Sequence, residues 1–468
     1  MRAVHNIFFD SAGAFFLVYM LIYATYLFLS IVVGAWRLYY HDRMCQIKSE
    51  ISAPVYFPVS ILVPAYNEEV TILDNVLSLL NLDYNMYEII VIDDGSDDST
   101  SKILIDHFNM NKTDRTIMHT LSCKKEESVY EATGTRVKLT LIRKQKGGKG
   151  DSINMGINAS AYPYFLCIDA DSMLQKDSLA HIVLPAMKDD GVVAVGGMIR
   201  IAQCVKVRNG NVQDYHLPWN VLVSAQVMEY DRSFLASRLF MDVFNGNLII
   251  SGAFGLFKKD VVLAAGGYDD NTLGEDMELV MKLHTFCRNN KHKYSIRYEP
   301  DAICWSQAPS SLRDLKVQRR RWHLGLYECM VKYRKMLLNP TFGLAVVASY
   351  MYYLMYELLS PLIEFFGLIV IIAAGLMGML NWPFMIHFFL LYAVYGAVLT
   401  MTAFYQRIYT QNIKIDHTDI LKASLFCLLE NVFSHVFMDF VRGTAFLGYK
   451  SKKNQWGQIK RVRRDEVC

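Results

Sequence analysis

VSILVPAYNEE, Val59 to Glu69, begins as an unbroken apolar run and ends in a polar turn, after which a helical pattern starts at Val70. The scheme returns in YEIIVIDDGSDDST (Tyr87–Thr100), and its strand half again in VKLTLIRK (Val137–Lys144) and YFLCIDADS (Tyr164–Ser172). A strand that is apolar on both faces is buried on both faces, and the alternating helices supply the cover. The reading is therefore an α/β fold with a mostly parallel, Rossmann-like sheet. In such sheets a ligand lies beyond the carboxyl ends of the strands. The polar turns PAYNEE, DDGS and DADS all fall at those ends. Residues 109–136 are polar, lack clear periodicity and read as an insertion loop.

Asp169 and Asp171 of DADS put two carboxylates on one side of an extended segment. Hard oxygen donors at that spacing suit Mg²⁺ or Mn²⁺ with phosphate oxygens completing the shell, although a lone D-x-D is also a common way to solvate a loop. In KQKGGKGDSINMG (Lys144–Gly156) glycines bare the backbone and Lys149 can meet phosphate charge. Walker-A spacing is absent, which excludes a P-loop. NTLGEDMELVMKLH (Asn271–His284) sets Glu275 and Asp276 at the start of an amphipathic helix. Helix capping and dipole complementation account for such a pair. A carboxylate held rigidly at a helix start also suits a general base.

The flanks have a different character. Ala12–Trp36 is uncharged and, at about 1.5 Å per residue, long enough to cross a bilayer core of about 30 Å. It exceeds the roughly 7–15 residues of a signal-peptide core and lacks a clear small-x-small site, so an uncleaved anchor is expected. Ile363–Leu380 and Phe384–Tyr405 read as two further spans. Phe342–Ser360 contains Glu357 and stops at Pro361, which leaves a span, a re-entrant piece or an interfacial helix open. Ile420–Val441 carries Glu430, His435 and Asp439, tolerable where they face protein or a water-filled path. WRLYYHDR (Trp36–Arg43) and the tail YKSKKNQWGQIKRVRR (Tyr449–Arg464), with seven Lys or Arg, both belong on the cytoplasmic side, so the C-terminal crossings number two or four.

The chain thus divides into an anchor over 1–45, a soluble cytoplasmic domain over 58–310, amphipathic interface helices over 311–341, transmembrane or interfacial helices over 342–447, and a basic tail over 448–468. The expected location is the plasma membrane, crossed several times. At 468 residues the chain exceeds one compact core, and its net charge of only +3 points to no nucleic acid partner. Nine cysteines without a CxxC pair, and histidines without HxxxH or HExxH spacing, argue against disulfides and structural zinc.

Taken together, PAYNEE, DDGSDDS, GGKGDSINMG, DADS, SGAFGLF (Ser251–Phe257), GEDMEL and QRRRW resemble, in that order, the processive family 2 glycosyltransferases of GT-A fold. These include cellulose, chitin, hyaluronan and poly-N-acetylglucosamine synthases. The resemblance covers about Val59–Trp322. It implies that Tyr66, Glu68, Asp94 and Asp93 hold the nucleotide of a UDP-sugar donor and that Lys149 touches the donor. It gives Asp169 and Asp171 the divalent metal, Mg²⁺ or Mn²⁺, on the diphosphate. Asp276, with Glu275 beside it, becomes the base that deprotonates the acceptor. Ser251 and Gly252 fall on the acceptor side.

In QRRRW the matching positions are Gln318, Arg321 and Trp322. Arg321 then neutralises the leaving diphosphate and Trp322 stacks on the terminal sugar of the growing polysaccharide. Arg319 and Arg320 fill variable positions, where contact with the headgroups of the lipid bilayer is the expectation. Two departures stand out. The acidic motif reads GED where relatives vary between TED and GDD, which leaves the sugar open, and no FxVTxK-like gating loop is present. Trp456 and Arg461, spaced W-x4-R, resemble a C-terminal element that covers the donor. Accessory export partners stay open.

Overall fold

The computed structural model describes residues 2–48, 57–208, 211–410, 413, 415–430 and 435–446. Trp456, Arg461 and the rest of the basic tail lie outside the described residues. Twelve strands are described: β1 (Val59–Ala65), β2 (Tyr87–Asp93), β3 (Asn111–Thr113), β4 (Glu126–Glu131), β5 (Leu139–Lys144), β6 (Tyr164–Ile168), β7 (Met173–Leu174), β8 (Val192–Ile201), β9 (Val205–Arg208), β10 (Asn211–Tyr215), β11 (Phe254–Lys258) and β12 (Ser295–Ser306). Ten form one sheet in the order β3-β4-β5-β2-β1-β6-β11-β8-β12-β7, while β9 and β10 pair separately.

The four apolar strands make the parallel centre. Val59 of β1 lies opposite both Tyr87 of β2 and Tyr164 of β6, and Ala65 lies opposite Asp93. Ile61, Leu62, Val63, Ile89, Ile90, Val91 and Leu166 are fully buried, as strands apolar on both faces require. The chain moves outward from β1 to β2 and β5, then returns to β6 on the other side of β1. That reversal opens a crevice beyond the ends of β1 and β6, where the polar turns sit. β11 runs antiparallel to β6 with Phe254 opposite Ile168, which brings Ser251 and Gly252 beside the DADS turn.

Residues 109–136 are not a structureless insertion. β3 and β4 pair antiparallel and extend the sheet past β5. Only Val129 of β4 is buried, so the strand carries almost no apolar alternation to betray it.

Helices α2 (Ile72–Leu80), α3 (Thr100–Phe108), α4 (Lys149–Ala159), α5 (Ser178–Lys188), α6 (Val221–Arg232), α7 (Arg238–Val243), α8 (Lys259–Ala264) and α9 (Glu275–Asn289) belong to this domain, and α10 (Leu312–Lys332) follows it. Around them lie α1 (Arg2–Lys48), α11 (Leu344–Tyr352), α12 (Ser360–Leu376), α13 (Trp382–Thr410), α14 (His417–Leu429) and α15 (His435–Gly443).

Ile7–Tyr40 of α1 and Trp382–Tyr409 of α13 are long and apolar enough to cross a membrane. Ile363–Leu380, read above as a span by itself, falls mostly within α12, which ends at Leu376. That helix is 17 residues, about 26 Å, and forms one apolar stretch with α11 and the π-helical turn Tyr353–Leu358, bent by 52° between them. Pro361 in the first turn of α12 lacks an N–H and places the break there. Of Ile420–Val441, α14 and α15 are the described parts, and residues 431–434 between them lie outside the described residues.

Candidate active site

At the end of β2, Asp94 is buried and its carboxylate is fully engaged. Oδ1 accepts from Lys144 Nζ and from Gly147 N at 2.8 Å, and Oδ2 accepts from Gly148 N at 2.7 Å. Gly148 adopts φ 97°, a conformation that an L side chain rarely takes, so the loop can turn its N–H groups onto the carboxylate. Lys144 has no exposed surface and also pairs with Asp151 Oδ1 at 2.6 Å. Two carboxylates thus share one buried ammonium beneath the glycine loop. Tyr66 lies nearby, its hydroxyl accepting from Lys146 Nζ at 2.7 Å. Glu68 caps the next turn through its carbonyl and accepts from Thr71 Oγ1 at 2.7 Å. Asp93 faces elsewhere: it accepts from Ser96 N at 2.8 Å and from the Ser101 hydroxyl, and closes the turn rather than lining the crevice.

Lys149 opens α4 at the centre of the crevice. Its Nζ lies 2.6 Å from Asp169 Oδ1 and 3.5 Å from Glu275 Oε1, and donates to Gly252 O at 3.1 Å. Burial pulls this ammonium down, yet Asp169 and Glu275 more than reverse it and hold it above the ordinary lysine value. Glu275 moves the other way for a carboxyl. Burial pushes it up, Lys149 opposes, and the neighbouring Asp276 adds to the rise. Asp276, on the first turn of α9, is fixed at both oxygens: Oδ1 accepts from Met277 N at 2.8 Å and Oδ2 from Gly252 N at 3.2 Å. Negative charge at a helix N-terminus is favourable, which explains why so acidic a turn is tolerated.

Asp169 and Asp171 offer hard oxygen donors on the same wall, with Asp171 Oδ1 accepting from Ser172 Oγ at 3.2 Å. Among the described residues no group of three or more His, Cys, Asp or Glu converges as a metal cage. Two carboxylates that share a divalent ion with phosphate oxygens fit this arrangement, in which Lys149 faces an excess of acids.

The opposite wall comes from α10. Gln318, Arg321 and Trp322 all line the crevice, and Trp322 is 40% exposed. Arg321 is close enough to Glu275 to favour its charged form. Arg319 does not face lipid headgroups, and Arg320 is half-buried. Arg319 is buried and donates through both Nη atoms to Glu229 on α6 at 2.6 Å each, and Arg320 Nε donates to Ala445 O at 3.0 Å. α10 crosses the start of α9 at Gly274 and Gly325, where a Cβ on Gly325 would stand 2.8 Å from the Gly274 backbone.

One cleft of about 1270 Å³ collects every expected site residue among those described except Asp93, and continues to Tyr353, Glu357 and Arg442 beside the apolar helices. The sequence reading missed Lys144, Asp151, Lys146 and Glu229. A lysine ending an apolar strand just before GGKGD was the one available signal for the first. Nothing marked Glu229 on α6.

The family model for glycosyl transferase family 2 matches residues 60–262, and that for glycosyl transferase family group 2 matches residues 164–401, half of the chain. The chain belongs to the family 2 glycosyltransferases. A poly-beta-1,6-N-acetyl-D-glucosamine synthase of Staphylococcus epidermidis is 29% identical over 274 residues, 58% of this chain and 56% of that protein. A synthase of the same name from Staphylococcus aureus (strain COL) is 26% identical over 317 residues, covering 67% and 66%. The chain therefore spans between about half and two thirds of the length of these curated relatives. A mannosyltransferase from Pyrobaculum calidifontis, solved in complex with GDP-Man and Mn²⁺, superposes with TM-score 0.52 at 18% identity, over 88% of this chain and 98% of that one. At that identity the likeness speaks for the GT-A fold alone.

Proposed function

We propose that this family 2 glycosyltransferase is an inverting, processive membrane synthase that builds a β-linked polysaccharide from a UDP-sugar. UDP-N-acetylglucosamine is the first choice of donor. One observation carries the reading: Asp276, the Lys149–Asp169 pair and the Trp322 indole stand on the walls of one cleft. The names of the relatives favour N-acetylglucosamine over glucose or alternating hyaluronan-type addition.

Tyr66, Glu68 and Asp94 take the nucleotide end of the cleft, Asp94 by shaping the glycine loop. Lys149 and Arg321 face the diphosphate, and their positive charge grows in value as the glycosidic bond breaks and charge moves onto the leaving group. Mg²⁺ or Mn²⁺ held by Asp169 and Asp171 would add electrostatic stabilisation of that diphosphate. Asp276 removes the proton from the acceptor hydroxyl, which attacks from the face opposite the diphosphate. A single displacement inverts the anomeric carbon, so an α-linked donor yields a β-linked product. Trp322 offers a flat apolar surface to the terminal sugar. The apolar helices set the enzyme in the plasma membrane with its active site cytoplasmic, and the cleft leads toward them, the direction an exported chain must take.

Asp276→Asn tests the base. Sugar transfer, followed as UDP release, should fall at least about 100-fold while UDP binding persists. Normal turnover would remove the assignment. Chelation by EDTA should stop synthesis and added Mn²⁺ or Mg²⁺ restore it; activity that persists in EDTA would discard the metal role of Asp169 and Asp171. Sizing the radiolabelled product of the wild type separates polymer from a single sugar added to a lipid carrier.

A further inference from the structure

Arg319 sits between the positions that match the family motif, and no step above uses it. It is 3% exposed, far deeper than its neighbour Trp322. Its two Nη atoms meet the two Glu229 oxygens at 2.6 Å, a fork-on-fork arrangement that fixes the plane of the guanidinium. Burial would raise the Glu229 carboxyl, and Arg319 more than reverses this, holding it below the usual carboxylate value. Residues three apart on a helix are surface neighbours. Here the guanidinium carbon lies 4.5 Å over the centre of the Trp322 ring. All three side chains line the same cleft.

We infer that Arg319, clamped by Glu229, is a positioning residue that sets the plane of the Trp322 indole and so aligns the acceptor sugar with Asp276. The inference rests on the acceptor reading of Trp322. A half-exposed tryptophan with both faces free can rotate about its side-chain bonds, and each rotation tilts a sugar stacked on it. With a planar cation against one face, the ring is held and the other face is left to the ligand. A polymerase repeats one geometry at every addition, so a tilt too small to abolish binding still lowers the rate at each step. Lysine keeps the charge but has no planar fork. Glu229 belongs to α6, which is tied to α13 by Asp231–Arg407 at 3.0 Å and to the C-cap of α14 by Arg232–Glu430 at 2.8 Å. The clamp therefore stands on a fixed support.

The test uses the full chain in detergent or nanodiscs, with UDP-N-acetylglucosamine as donor and a short β-linked N-acetylglucosamine oligosaccharide as acceptor. Arg319→Lys should raise the acceptor KM about tenfold and shorten the product, with the donor KM changed by no more than about twofold. Arg319→Gln with Glu229→Gln leaves no charge unpaired and should show the same acceptor defect. Recovery of the wild-type acceptor KM in that double variant would reduce the pair to an ion pair and overturn the inference. An equal rise in both KM values, or loss of UDP binding in both variants, would also overturn it by marking a general structural role. Trp322→Ala separates the two levels of argument. If it leaves the acceptor KM unchanged, the stacking reading itself fails. If it raises that KM while Arg319→Lys does not, only the clamp fails.

Discussion

Lys149 is one ammonium facing Asp169 at 2.6 Å and Glu275 at 3.5 Å, with Asp171 and Asp276 on the same wall. The imbalance has a thermodynamic sign. Glu275 keeps its proton to higher pH in the folded protein than in the unfolded chain, because burial penalises its charged form. Between the ordinary carboxylate value and the raised one, the unfolded chain binds fewer protons, so this group makes stability fall as pH rises. Glu275→Gln should remove that contribution. The donor-free variant is expected to melt about 2 °C or more higher at neutral pH, with a melting temperature that falls less as pH rises above the ordinary carboxylate value, read by thermal unfolding in detergent. An unchanged dependence on pH would show that Glu275 is not strained. Such an acid excess could be read from GED and DADS in the sequence only as a list of acids. That they meet around one lysine depends on the crossing from β5 to β6.

Two helices bring the walls together, and glycine is what lets them. α10 meets the start of α9 where Gly325 and Gly274 have no side chains, and Glu328 straps the approach by accepting from Leu273 N at 2.9 Å and Thr272 Oγ1 at 3.0 Å. Gly325→Ala forces a methyl to within 2.8 Å of backbone, and backbone rather than a flexible side chain must yield. Stability should fall by about 1–3 kcal/mol. Transfer should fall at least about tenfold because Trp322 and Asp276 move apart, while UDP still binds at the far end of the cleft. Equal activity in wild type and variant would show that α10 tolerates the shift. At this scale the sequence was uneven as a guide. β1, β2, β5 and β6 were plain because they are apolar on both faces. β3 and β4 were hidden because just one of their residues, Val129, is buried. No local pattern announces a helix crossing made by two glycines 51 residues apart.

For the whole molecule, the ends of the parallel strands were the most legible feature, since composition alone marks where each apolar run stops, and among the described residues all the expected ones but Asp93 line one cleft there. The membrane part was harder. Length and hydropathy found α1 and α13 but could not say that α12 is half of a bent pair. The arginine run was misjudged for the same reason: charge beside apolar sequence looks like a lipid contact until the partner, Glu229 some ninety residues earlier, is brought in by the fold. That helix, α6, also sends Asp231 to Arg407 and Arg232 to Glu430. The catalytic domain therefore has no clean seam along which to be excised. A protein cut after residue 310 would keep Glu229, Asp231 and Arg232 but lose Arg319, Arg407 and Glu430, the partners that the later helices supply. Removing one partner of a buried pair is among the most damaging changes a protein can suffer. A water-soluble fragment is the wrong object to purify; the enzyme has to be handled whole, apolar helices included.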